Sequence, residues 1–320
     1  MKAIVVESFG GPEVLVLKQV PDPKPGPGQV LVQVKAVGVN PYETHIRSGA
    51  YPLKPNLPYT PGADAAGVVL AVGPETNRFK AGDRVYTFSF NSGAYAEQLV
   101  SIEDNLQFLP SNVSFAQGAA LGVPYATAHY SLFQRGQAQA GETVLVHGAS
   151  GGVGIGAVQL ARAAGLTVFG TASTEEGRKV LLKEGAHGAF DHSESGYLDK
   201  IVAATGGKGL DIILEMLANV NLDKDLNALS LRGRVIVIGS RGRVEIDPRS
   251  TMGRNADIRG LTLFNASPGD RKAIHAHLHA GLENGTLRPI IAEQMPLSDA
   301  PRAHEAVMKN KKIGKIVLVP

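Results

Sequence analysis

The segment 143–162, TVLVHGASGGVGIGAVQLAR, constrains this chain more than any other. Residues 143–147 are a short apolar, β-branched run, the pattern of a strand buried in a parallel sheet. Gly148, Gly151, Gly152 and Gly154 follow, and Val153, Ala157, Val158, Leu160 and Ala161 then recur at helical spacing. Strand, glycine turn and helix in this order make a cradle for a dinucleotide. Gly151 lets the backbone approach a pyrophosphate, and Gly154 lets helix and strand pack closely. Ser150, Gly152 and Val153 complete a helix N-terminus with free N–H groups and a positive dipole end. The pattern is G-x-G-x-x-G with Ala149 in the first glycine position. A glycine turn alone reads as a tight βα connection; the flanking strand and helix make it a nucleotide site.

On either side the texture differs. Residues 1–110 are β-rich, with period-two alternation over 2–6, 13–20 and 29–39 and further strands at 66–72, 83–88 and 95–100. A compact, antiparallel, barrel-like domain fits that spacing. The proline-glycine cluster 21–28 reads as a rigid loop inside it, and 41–48 as its one helix, with Pro41 in the first turn. Ser114 is an N-cap for a helix over 115–121, and 125–136 is a helix leading into the cradle. Strands at 167–171, 211–215, 234–239 and 259–264 then alternate with helices at 175–184 and 222–229. That alternation predicts a doubly wound parallel sheet. A long helix over 268–284 and strands at 289–291 and 315–319 return to the first domain.

Composition narrows the functions. At 320 residues the chain has room for two domains, and 43% hydrophobic with 19% charged residues is globular. No apolar run is long enough to span a membrane, and the start lacks a signal-peptide core, so the expected location is cytoplasmic. Zero cysteine removes disulfides, thiol nucleophiles and cysteine-ligated zinc. A net charge of +3 is too small to argue for nucleic acid.

Three stretches carry a family likeness. GETVLVHGASGGVGIGAVQLAR resembles the signature of quinone oxidoreductases and zeta-crystallins, zinc-free members of the medium-chain dehydrogenase superfamily. GVNPYETHIRSGAYPLKPNLPYTPGADAAGVV resembles their substrate-side region, and EMLANVNL with VIVIGSRG the second half of their cofactor domain. The resemblance runs the full length. It implies an α/β fold: a GroES-like catalytic domain over 1–124, an inserted Rossmann domain over 125–265 and a C-terminal return over 266–320. It also implies NADPH-dependent reduction of quinones and favours a homo-oligomer, dimer or tetramer. The strand at 259–264 is a candidate edge for pairing with its copy.

Zinc-dependent relatives carry a cysteine near position 40 and a Gly-His-Glu motif further on. Here Asn40 and Thr60-Pro61-Gly62-Ala63-Asp64 stand in those places, so no metal is expected. His275, His277 and His279 read as an exposed helix face. For the cofactor's ribose, an NAD site usually places an acid at the end of the second strand; Gly170-Thr171-Ala172-Ser173 offers only small neutral side chains. Room and hydroxyls suit a 2′-phosphate, and Arg178 and Lys179 add charge. Glu175 and Glu176 read as first-turn helix acids. The family commonly has lysine where Gly177 stands. The resemblance carries His192 to this end of the cofactor, Asn40, His45, Thr127 and Leu261, Thr262 and Leu263 to the nicotinamide end, and Asn221, Ile238, Gly239, Ser240 and Arg241 to the rest.

His45 occupies a place where relatives usually have tyrosine. Tyr51 and Tyr59 are candidate aromatic walls for a planar acceptor, alongside core packing. No Ser-His-Asp set, paired carboxylates or lysine nucleophile demands a dedicated acid-base residue, so the expected reaction rests on the cofactor and on positioning. A rival on the same scaffold is reduction of α,β-unsaturated carbonyls. A rival of another class is a structural or AU-rich-RNA-binding role, as in zeta-crystallin relatives. Against it, the chain has no basic stripe interleaved with aromatics, and Lys309, Lys311 and Lys312 read as a solvated turn.

Overall fold

The apolar run before the glycines folds as Thr143–Val146, with Val144, Leu145 and Val146 inaccessible to solvent. In this computed structural model, which describes residues 1–52, 54–87, 93–309 and 312–320, that strand lies inside a six-stranded sheet. Its neighbours run, in order across the sheet, Gly188–Phe190, Thr167–Thr171, Thr143–Val146, Leu210–Glu215, Leu229–Val237 and Asp257–Gly260. All five pairings are parallel. Counted in chain order this is 3-2-1-4-5-6, the doubly wound arrangement. Strand order reverses between Thr143–Val146 and Leu210–Glu215, and such sheets take their ligands beyond the C-terminal ends at that reversal. Helices Gly152–Ala163, Glu175–Lys183, Tyr197–Ala204 and Ala218–Ala228 make the crossovers. Leu145, Ile201, Ile213, Leu226 and Val235 belong to the core between strands and helices.

Several boundaries depart from the sequence expectation. The helix expected at 222–229 is Ala218–Ala228, and the strand expected at 234–239 is Leu229–Val237. The strand expected at 259–264 is Asp257–Gly260: Leu261 N–H makes one more ladder bond to Val237 (3.2 Å), and Leu263–Asn265 then curls into a 3-10 turn. The alternation of leucines there mimics a strand, but among the described residues the ladder to Leu229–Val237 ends with that bond. The helix expected at 125–136 is α-helical over Gly122–His129 and π-helical over Tyr130–Arg135. The Ser131 hydroxyl donates to the Thr127 carbonyl (2.6 Å), the kind of back-bond that loosens a helix ladder.

The β-rich part is built on Gln29–Gly38, whose alternate residues Val30, Val32, Val34 and Ala36 are buried. This strand pairs antiparallel with Asp64–Val72, with Gln98–Ile102 and with the C-terminal Lys315–Val319. Ile291–Pro296 lies parallel beside Lys315–Val319, later and longer than the strand expected at 289–291. Arg84–Thr87 and Leu106–Phe108 extend the far side; Phe88, the expected end of the strand at 83–88, lies outside the described residues. Lys2–Val5 and Val16–Gln19 form a separate antiparallel pair. Helix Pro41–Arg47 opens on a capping box between Asn40 and Glu43.

The chain divides into two compact units, Met1–Val123 with His279–Gly285 and Pro289–Pro320, and Pro124–Leu278 with Thr286–Arg288. The second unit runs past position 265 because helix Pro268–Glu283 begins inside it: His277 Nδ1 meets His129 Nε2 at 3.0 Å. The three histidines therefore do not share one exposed face. His275 is buried, His277 faces His129, and His279 pairs with Glu283 at 3.3 Å. Among the described residues no helix is long and apolar enough to cross a membrane.

Candidate active site

In the Rossmann unit the cradle is held from the second strand. Ala149 N–H donates to the Thr171 carbonyl (2.8 Å) and Gly148 N–H to the Thr171 hydroxyl (3.1 Å). Gly151 is the N-cap of Gly152–Ala163, with no side chain to cap the helix, so the first-turn N–H groups lack an acceptor from the cap. The cradle glycines divide by what a side chain would meet. A Cβ on Gly154 would lie 2.5 Å from the Ala149 carbonyl oxygen and 2.6 Å from its carbon. A Cβ on Gly151 would touch only the Gly148 oxygen at 3.6 Å. Gly154 is thus required by packing. Among the described residues nothing crowds Gly151, whose backbone is extended (φ −79°), so its bare face suits a bound group. Ser150, Gly152 and Val153 beside it are half-buried.

At the end of Thr167–Thr171 the structure gathers Ser173, Arg178 and His192. Arg178 Nη1 donates to the Ala172 carbonyl (3.1 Å) and to Asp191 (2.7 Å), which fixes the guanidinium beside the strand end. His192 Nδ1 lies 3.3 Å from the Thr171 hydroxyl, and burial lowers its pKa. Lys179 is not part of this group; it pairs with Glu175 at 2.6 Å on the exposed side of its helix. Ala172 is buried, so Ser173 carries the free room. Gly177 packs tightly: a Cβ there would meet Ala172 Cβ and Thr174 Oγ1 at 3.0 Å, which leaves little space for the family's lysine.

The turns after the fourth and fifth strands are tied together. Ile238 and Gly239 N–H both donate to the Glu215 carbonyl (2.9 and 3.2 Å), and Ala218 N–H to the Gly239 carbonyl (2.9 Å). Asn221 Nδ2 donates to Glu215 Oε1 at 3.3 Å. Arg241 N–H donates to Asn219 Oδ1 (2.8 Å), and the Ser240 hydroxyl to the Gly242 carbonyl (3.0 Å). Thr127 is buried, as is Leu263, while Leu261 and Thr262 are half-buried.

In the GroES-like unit Asn40 lies at the centre of a buried polar cluster. Its Oδ1 accepts from Lys315 Nζ (2.5 Å), and its Nδ2 donates to Asp64 (2.9 Å) and Glu43 (3.2 Å). Lys315 also pairs with Asp64 at 3.0 Å. Glu43 further accepts from Ala63 N–H (3.0 Å) and from the Tyr95 hydroxyl (2.9 Å); burial raises its pKa. Tyr95 in turn meets His304 Nε2 at 3.0 Å, and burial takes that imidazole down to about 3. The His45 carbonyl accepts from Ala50 and Tyr51 N–H (3.0 and 3.1 Å), and the Tyr51 ring lies 6.0 Å from that of Tyr42. Tyr59 is packed in the core, bridged to Val6 through the backbone, and burial pushes its phenol up to about 12. His45 and Tyr51 are thus neighbours, while Asn40 and Tyr59 are buried separately.

Sequence reasoning missed two groups: His147, Glu215 and Asp225 in the Rossmann unit, and Lys315 with Asp64 in the other. The signal was there, since each is a charged or imidazole side chain at the end of an apolar strand or inside a helix's buried face.

The profile of the alcohol dehydrogenase GroES-like domain matches residues 26–121, and that of the zinc-binding dehydrogenases matches 152–279. The quinone oxidoreductase of Homo sapiens is 52% identical over 321 aligned positions, covering 100% of this chain and 98% of its own. The chain belongs to the quinone oxidoreductase family. A solved Escherichia coli quinone oxidoreductase complexed with NADPH superposes with a TM-score of 0.91 at 30% identity, covering 100% of both chains. A structure described as an NAD-dependent alcohol dehydrogenase, 29% identical, does so at 0.93, again over 100% of both.

Proposed function

We propose that this family member is an NADPH:quinone oxidoreductase that works without zinc. The observation that carries the reading is the 52% identity with human quinone oxidoreductase along the entire chain. The cradle supports it: Gly151 has an open face above an uncapped helix N-terminus, at the point where strand order reverses. When bound, the nicotinamide supplies the reducing equivalents. This chain's residues bind and orient it. Ser150, Gly151, Gly152, Val153 and Gly154 would take the pyrophosphate. Ser173, Arg178 and His192 would take the 2′-phosphate; the strand end at 170–173 carries no acid, and the nearby Asp191 is paired with Arg178 at 2.7 Å. Asn221, Ile238, Gly239, Ser240 and Arg241, with Leu261, Thr262, Leu263 and Thr127, would line the remainder. On the acceptor side the same proposal assigns Asn40, His45, Tyr51 and Tyr59, with Asn40 and Tyr59 acting from the core as supports.

The zinc-free reading rests on donor chemistry. The sequence has no cysteine, and the Asn40 amide, already bonded to Lys315, Asp64 and Glu43, is a poor zinc ligand. A cytoplasmic homo-oligomer is part of the proposal. Side-by-side turnover of benzoquinones and alkenals with NADPH, in the presence of chelator, tests it. Quinone turnover that survives chelation is the expected result. Exclusive turnover of alkenals, or loss of activity with chelator, overturns it.

A further inference from the structure

Where the sheet reverses its strand order, His147 follows the first strand, Glu215 ends the fourth, and Asp225 projects from the helix after it. All three are buried, at 3%, 0% and 0% exposure. His147 Nε2 lies 2.9 Å from Asp225 Oδ1 and 3.5 Å from Glu215 Oε2. Among the described residues, no N–H or other donor meets the second oxygens, Glu215 Oε2 and Asp225 Oδ2, in hydrogen-bonding geometry. Two carboxylates side by side in a dry interior cannot both stay ionised; one holds a proton that the other accepts.

Glu215 is also the hub of the turns described above. Its Oε1 accepts from Leu217 N–H and from Asn221 Nδ2, and its carbonyl from Ile238 and Gly239 N–H. We propose that Glu215, through a proton shared with Asp225, is a positioning residue for NADPH: it fixes the turns carrying Asn221, Ile238 and Gly239. This deepens the cofactor reading above and rests on it. Asp225 accepts on one oxygen from His147 and on the other from the Glu215 carboxyl. Removing that proton places a second negative charge in the cluster and loosens the turns.

The surroundings favour a proton. Burial raises Glu215 to about 7, with His147 opposing, and burial likewise raises Asp225 to about 7. Burial lowers the His147 pKa, with Glu215 opposing, which works against a compensating charge on the imidazole. The Tyr197 ring packs edge-on against His147, and burial raises its phenol far above the neutral range. The Glu215 contact and then Lys224 lower Asp225 against the larger effect of burial, and His192 is itself lowered by burial and by His147. A divalent cation could satisfy the same three groups, which lie within 4.8 Å of one another. It would have to break the 2.9 Å His147–Asp225 bond, so the proton is the better occupant.

Glutamine is the test, because Glu215→Gln reproduces the protonated carboxyl: its oxygen accepts from Leu217 and Asn221, and its amide donates to Asp225. Direct NADPH binding, followed by nicotinamide fluorescence, is measured from pH 6 to 9 on wild type, Glu215→Gln and Glu215→Ala. The expected wild-type Kd rises severalfold above pH 7. Glu215→Gln matches wild type at pH 6 and loses that rise, while Glu215→Ala weakens binding at least tenfold at every pH. Titration of the 2′-phosphate is common to all three proteins and cancels in the comparison. Parallel pH profiles for wild type and Glu215→Gln, or equal weakening by Gln and Ala, overturn the inference. So does a stoichiometric metal ion in wild type that Glu215→Gln loses. Failure of wild type to bind NADPH at any pH strikes the cofactor reading instead.

Discussion

Gly151 and Gly154 stand three positions apart and should fail in opposite ways when each is given one methyl group. At Gly154 the methyl meets the Ala149 backbone at 2.5–2.6 Å, where no rotamer change relieves it. Overpacking against a yielding core costs about 1–3 kcal/mol, and backbone yields less than side chains. Alanine regains about 1 kcal/mol of helix propensity. Gly154→Ala should therefore lose on the order of 2 kcal/mol, a fall in Tm of about 4–8 °C for a domain this size. At Gly151 the methyl has one neighbour, at 3.6 Å, on backbone that alanine adopts freely. The fold loses about 0.5–1 kcal/mol, the difference between glycine and alanine as an N-cap. Affinity is where Gly151→Ala shows. The methyl stands where the pyrophosphate would approach, and forfeiting two charge-assisted hydrogen bonds at about 1.5–3 kcal/mol each weakens NADPH at least about a hundredfold. Thermal melts with calorimetric titration of both variants measure this. A Gly151→Ala protein that binds NADPH with wild-type affinity refutes the assignment of the cradle, and a Gly154→Ala protein as stable as wild type refutes the packing argument.

Three further expectations follow from the same geometry. Arg178→Ala should weaken NADPH about ten- to a hundredfold and leave NADH unchanged, since one charge-assisted bond to the 2′-phosphate is lost; kcat/KM for both cofactors at fixed salt checks it. Ser173→Asp should reverse the cofactor preference in the same assay, and an unchanged ratio would move the 2′-phosphate elsewhere. His45→Tyr should alter KM across a panel of quinones with Tm held within about 2 °C, because His45 is half-buried and holds its turn through its carbonyl. A fourth concerns pH: the Glu215–Asp225 pair binds its proton more tightly folded than unfolded, so it favours the folded state in acid. That contribution fades as pH rises from the ordinary carboxylate range through about 7, and Glu215→Gln should flatten the fall in urea titrations.

The parallel sheet was legible because its central strands are apolar-rich and its turns glycine-marked; Thr167–Thr171 falls on the residues expected for it, as Lys315–Val319 does in the GroES-like unit. Boundaries slipped where local pattern and pairing disagree. The leucines at 261 and 263 alternate like a strand, yet the ladder stops at Gly260. Gly188–Phe190 and Tyr197–Ala204 were unreadable, the first being three residues long and the second opening on Gly196 in the left-handed region (φ 71°) without a polar cap. Of the candidate site, glycines and neutral strand ends speak through local spacing. Glu215 with Asp225, and Asp64 with Lys315, are pairings across the fold that no local period encodes.

That second pairing yields the last prediction. In the GroES-like unit Asn40 and Asp64 face the Lys315 ammonium at 2.5 and 3.0 Å. One fixed cation thus sits among Asn40, Asp64 and the nearby Glu43. Asp64 Oδ1 also accepts from Val123 N–H (2.7 Å), so its charge cannot swing out to water. Lys315→Met keeps the length of the side chain and removes the charge, leaving Asp64 buried without its counter-ion. Breaking a buried pair from one side costs about 3–5 kcal/mol. Removing both charges costs less, because no orphan ion remains, so Lys315→Met with Asp64→Asn should recover at least about half of that loss. Urea unfolding of the two singles and the double closes the cycle. Additive losses would show that Lys315 and Asp64 contribute independently, and the buried-pair account of this cluster would fail.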